Sequence, residues 1–130
     1  MKKFISILII FIILITIGIL EEVLVHKFIT EFETKTLEIS QQLNANFDET
    51  KTDTILVKVD NLRNYWNGKK NKFCYLVMYD KIKIIDEGVA KLSNAVKNND
   101  IVIAQENIAV LLCYTESLHY IMGFNINNLF

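Results

Sequence analysis

From Phe4 to Leu20 the chain carries no charge, and only Ser6, Thr16 and Gly18 interrupt its apolar residues. A helix that is apolar on every side has no face to give to water, so the pattern predicts a membrane-directed segment. Its 17 residues would make a rod roughly 25 Å long, at the short end of what crosses a hydrocarbon core of about 30 Å. Glu21 and Glu22 close the run, but Val23, Leu24 and Val25 follow. Local thinning of the bilayer, or snorkelling of the flanking charges, can make up the difference.

Beyond the run the pattern changes to stripes. Val25, Phe28, Phe32, Ile39, Leu43 and Phe47 recur at helical spacing, with Thr36 filling the gap, so the apolar helix is expected to continue into a second, amphipathic part. After the polar stretch from Asp48 to Thr54, with Thr52 or Asp53 as a capping residue, comes the stripe Ile55, Val59, Leu62 and Trp66. The segment Asn67-Gly68-Lys69-Lys70-Asn71-Lys72 is the most polar in the chain, and a break is expected there. The alternative is a helix running on to Phe73 with the Lys69 stem laid along its face. Met78, Ile82, Ile85, Val89, Leu92 and Val96 then mark a long helix from Phe73 to about Lys97 that tolerates Gly88. Asn98-Asn99-Asp100 supplies a turn and a cap. Ile101, Ala104, Ile108, Leu111, Leu118 and Met122 form the last stripe, ended by Gly123.

These elements predict an all-α fold: an N-terminal transmembrane helix, then a small antiparallel bundle of three to four helices. Residues 1–21 form the anchor and 22–130 the helical domain. The absence of proline and the presence of only 4 glycines in 130 residues deprive the chain of the punctuation that a sandwich or barrel needs. About 110 residues beyond the anchor suffice for one core and not two. Spacing near 3.5 residues also permits a coiled-coil partner.

The alternative to an anchor is a cleaved secretory signal, which usually has a shorter apolar region ending in small residues of the A-x-A type. No alanine precedes Ala45, and Gly18-Ile19-Leu20-Glu21 is a poor cleavage site. Lys2 and Lys3 stand before the helix and only Lys27 stands close after it, a bias that favours a cytoplasmic N-terminus and an extracytoplasmic domain at the plasma membrane.

Charge narrows the function classes. Of 14 basic and 15 acidic residues, Lys2 and Lys3 precede the apolar run, so the remainder is net negative and lacks the concentrated basic face of a nucleic-acid binder. Cys74 and Cys113 are expected about 15 Å apart along neighbouring helices, too far for a disulfide, and are read as core or interface residues.

Each of the two histidines has a carboxylate within helical reach: Glu22 before His26 and Glu116 before His119. One Glu-x-x-His copy is half of a di-iron motif, so neither a metal nor any other cofactor is expected. A histidine with a carboxylate neighbour, or a pH-sensing contact, is the plainer reading. No serine or cysteine stands with a base in a nucleophilic arrangement: Cys113 is about 9 Å along the helix from His119. No enzymatic activity is expected. The residues kept as possible interaction sites are Trp66, Lys69, Lys70 and His119. Trp66 is the best recognition anchor, although core packing is its more common use. The lysines suit an anionic lipid head, a wall polymer or an acidic patch, although such a run is usually a solvated turn. The tail from Phe124 to Phe130 is expected to fold back and cap the bundle's end, the alternative being an exposed docking peptide.

Several of these features together resemble the domain-of-unknown-function family 4363. They are Lys2-Lys3 with the apolar run, Trp66 followed by Lys69, Lys70 and Phe73, Asn99-Asp100 before the last helix, Leu118-His119 near its end, and the terminal Asn128-Leu129-Phe130. The resemblance covers most of the chain and implies a small membrane-anchored protein of Gram-positive bacteria, with an architecture and no mechanism. Where the family suggests a histidine beside acidic residues in the third helix, this sequence has Tyr79 and Asp80.

The expected role is therefore a single-pass membrane protein that binds another membrane or surface protein, or itself. The alternative is a sensor or ligand-binding module. That needs an internal pocket of several hundred Å³ with convergent polar groups, of which a cavity near Trp66 or His119 would be the sign. Aligned stripes predict a filled core instead.

Overall fold

The computed structural model describes residues 1–44, 52–73 and 79–122. They form four helices: α1 (Lys2–Asn44), α2 (Thr52–Phe73), α3 (Tyr79–Lys97) and α4 (Ile101–Met122). Phe47, Cys74 and Met78, which the stripes place in helices, and the tail from Gly123 lie outside the described residues, and Phe73, the expected start of the third helix, is instead the last residue of α2.

The apolar run and the first amphipathic stripe are one helix. Nothing breaks α1 at Glu21-Glu22, where the anchor was set apart from the domain. Residues 4–20 are exposed all round, and burial starts at Val25 and proceeds through Phe28, Ile29, Phe32, Thr36, Ile39 and Leu43. By length and composition, α1 and the stretch Ile101–His119 of α4 are each long and apolar enough to cross a membrane, but the α4 stretch is partly buried in the bundle whereas the apolar stretch of α1 has no buried residue.

The helices close a ring in which α1 packs against α2 and α4, and α3 packs against the same two. Side-chain pairs set the directions. Lys58 meets Glu38, and further along α2 Tyr65 meets Glu31, so α2 runs antiparallel to α1. Gln105 meets Asn44 near the start of α4, and His119 meets Glu33 near its end, so α4 is antiparallel to α1 as well. The bundle therefore begins and ends beside the apolar half of α1. Its core follows the stripes: Ile55, Val59, Leu62 and Trp66 of α2, Ile82, Ile85, Val89, Leu92 and Val96 of α3, and Ala104, Ile108, Leu111 and Leu118 of α4 are all buried. Thr36 and Thr115 fill gaps in the stripes and return their hydroxyls to backbone oxygens of their own helices, at 2.8 Å to Phe32 and 2.9 Å to Leu112. The buried hydroxyl of Ser93 has no partner.

The turn between α3 and α4 is as expected. Asn99 is left-handed (φ 55°), its N–H bonds the Val96 carbonyl, and the Asp100 N–H bonds that of Ala95. This Schellman closure satisfies the last carbonyls of α3. The Asp100 carboxylate then accepts from the Ile103 N–H at 3.2 Å and caps α4.

The break expected at Asn67–Lys72 is not there: α2 continues to Phe73. The reason is pinning from α3. Trp66 and Lys70 both bond Asp86, holding the last two turns down, while Asn67, Gly68, Lys69, Asn71 and Lys72 face out and need no loop to reach water. It is Lys70, half-buried, and not Lys69 that lies against the bundle.

Candidate functional site

His26 and Glu33 are seven residues apart on α1, two helical turns, and so share a face. That face meets α4 one turn before its end, where His119 stands between them. The imidazoles are edge to face with centroids 5.0 Å apart, and His119 Nε2 lies 3.2 Å from Glu33 Oε2. His26 is exposed and His119 half-buried. With a neutral ring His119 donates a hydrogen bond to Glu33, and on protonation the same contact becomes an ion pair.

Sequence spacing assigned His119 to Glu116 on its own helix. The structure pairs it with Glu33 of another helix and brings it onto His26, which no local pattern reveals because both contacts depend on the register of α4 against α1. Among the described residues, no three His, Cys, Asp or Glu side chains converge as a metal site.

Beside the two histidines lies a half-open groove of about 320 Å³, lined by Glu22, Val23, Val25, His26, Lys27, Ile29 and His119. Its position near His119 matches the one at which a cavity was held to favour ligand binding. It differs from that expectation in being a groove on the seam of α1 and α4, open to solvent and mostly apolar, and its size is at the small end for ligand sites.

Trp66 is elsewhere and is not a surface anchor. It is 1% exposed, within an aromatic cluster whose centroids lie 6.0 Å from Phe28 and 5.7 Å from Phe32. Its indole N–H donates to Asp86 Oδ1 at 2.9 Å, and the Lys70 ammonium reaches the same oxygen at 3.2 Å. The core use of Trp66 weighed in the sequence is the one realised. Tyr65 stacks on Phe28 (5.3 Å, 10°) and donates to Glu31 Oε2 at 2.5 Å. Burial, that hydrogen bond and the Glu31 charge all hold its phenol well above the usual tyrosine range. Lys69 is exposed on the last turns of α2, away from His119. Cys113 is an exposed free thiol on α4, which excludes the core half of the core-or-interface expectation, while Cys74 lies outside the described residues.

The family described as Domain of unknown function (DUF4363) matches the chain over residues 23–129, the part that builds the bundle. No curated protein and no solved structure matches it.

Proposed function

Because the chain belongs to the DUF4363 family, whose description carries no activity, we propose a role from its architecture: a single-pass membrane protein whose bundle engages another protein at the bilayer surface without doing chemistry. The observation that carries this is the continuity of α1. One helix supplies an all-round apolar rod of membrane-crossing composition and, without a break, one wall of the bundle's core. A flexible linker would let the bundle roam, whereas a shared helix fixes its height and tilt at the membrane.

The lysine bias at the ends of the rod favours a bundle outside the cytoplasm. The residues that remain as contact candidates are exposed ones, Lys69 and the His26–His119 groove, since Trp66 is committed to the core. Crosslinking in intact membranes followed by pull-down tests this: a discrete adduct with another protein or a second copy is expected, and recovery of the monomer alone would contradict it.

A second reading, a ligand sensor, is favoured by the groove beside the paired histidines. It predicts that a small molecule protects His26 and His119 from imidazole-directed modification, a protection that the protein-engagement reading does not require.

A further inference from the structure

The pairs that fix the helix directions also fix heights along the bundle. Lys58 with Glu38 and Tyr65 with Glu31 put Lys69 level with Lys27, and Lys72 level with Leu24. Asp86 of α3 meets Trp66 and Lys70 of α2, so the antiparallel register puts Lys83 and Lys81 beside the final turn of α2. Residues far apart in sequence, on three helices, thus form one collar at the end of the bundle nearest the apolar rod: Lys27, Lys69, Lys72, Lys81 and Lys83. Four of them are exposed and Lys81 is half-exposed. The acidic residues level with the collar are Glu21, Glu22 and Asp80, Asp86 and Glu87 follow within one turn of Lys83, and Asp53, Asp60, Asp100 and Glu106 lie toward the far half. A domain that is net negative as a whole therefore carries more lysines than carboxylates on the turns nearest the rod, below the level of Asp86.

The height is that of lipid headgroups. Lys27 stands seven residues, roughly 10 Å, beyond Leu20, and Lys72 is lower still. A lysine stem spans the remaining gap to the polar zone of the bilayer, which adds about 10–15 Å in all to the hydrocarbon thickness. Juxtamembrane lysines are drawn to anionic lipid surfaces. We propose that this collar binds the anionic phospholipid headgroups of the membrane that holds α1, seating the end of the bundle on the bilayer.

The proposal rests on the reading of the rod as an anchor, so its test must separate the two. The full chain is reconstituted in nanodiscs of phosphatidylcholine alone, or of phosphatidylcholine with phosphatidylglycerol, and two quantities are read: the thermal midpoint and the acetylation rate of each lysine. On the anionic discs the midpoint should rise, and Lys69, Lys72, Lys81 and Lys83 should react several-fold more slowly, while Lys58, Lys91 and Lys97 keep their rates. Both effects should fade in about 0.5 M salt, where screening acts within a few ångströms. The variant K69Q/K72Q/K81Q/K83Q should keep its midpoint on neutral discs and lose the lipid-dependent rise. Equal midpoints and equal lysine rates on the two discs, or a rise that survives in the variant, overturn the proposal, the former leaving an acidic protein as the collar's occupant. A chain that enters neither disc overturns the anchor reading instead, and the lipid proposal with it.

Discussion

Asp86 is where two neighbouring turns of α2 are tied to α3, and its two bonds are unequal in what they protect. The Trp66 indole is buried and has its N–H aimed at Asp86, whereas Lys70 is a partly solvated cation that water can serve. Removing the carboxylate in Asp86→Ala leaves a buried donor without an acceptor, which costs about 1–3 kcal/mol. Lys70→Ala breaks an ion pair with side chains 32% and 47% exposed, worth less than about 1 kcal/mol. Thermal melts in detergent should therefore show a large drop for Asp86→Ala, a smaller one for Asp86→Asn, and little change for Lys70→Ala. Tyr65 gives a pH dependence with a definite sign. Its phenol titrates well above the ordinary tyrosine value of 10.0, chiefly because burial and then the Glu31 bond favour the neutral form. The stabilisation is complete below pH about 10, where an unfolded tyrosine would ionise, and is lost as pH rises toward the folded value. Tyr65→Phe should lower stability at neutral pH and flatten its decline in alkali, as followed by denaturant midpoints across that range.

Helix α3 packs closely on Leu111 of α4 at Gly88. A Cβ there would lie 2.8 Å from Leu111 Cδ2 and 3.3 Å from its Cγ, so the buried Leu111 side chain must shift to admit it. Alanine at this position gains about 1 kcal/mol of helix propensity, but overpacking a filled core typically costs about 1–3 kcal/mol. Gly88→Ala should therefore be net destabilising, and a cycle with Leu111→Ala should show the two changes partly cancelling. That close approach was invisible in the sequence, where Gly88 reads only as a weak point in a stripe. What was legible was whatever depends on local period. Ile55, Val59, Leu62 and Trp66 all face the core because a 3.6-residue helix allows nothing else once one of them does. The Asn98-Asn99-Asp100 turn was legible because its residues suit left-handed and capping geometry. The break that the polarity of Asn67–Lys72 suggests is absent because a helix end with one face in water is as polar as a loop. The pairing of His119 with His26 and Glu33 was hidden because it is set by how far α4 is shifted along α1, a long-range quantity.

At the scale of the whole molecule, one rod organises everything else. Antiparallel packing returns the ends of α2 and α4 to the level where α1 leaves its apolar stretch, so the lysine collar and the histidine groove lie at the same end. Helix α1 is continuous, and the proposed function places its residues 4–20 in the membrane and 25–43 in the bundle. Cysteine scanning of α1 in native membranes, with Cys74 and Cys113 replaced by serine and a membrane-impermeant maleimide as the probe, tests that directly. No position from 4 to 20 should react. From 22 onward reactivity should follow the helical period, high at Lys27, Glu31, Glu38 and Gln41 and low at Phe28, Phe32, Ile39 and Leu43. Reactivity at successive positions within 4–20, or a mature chain that lacks them, would contradict the account.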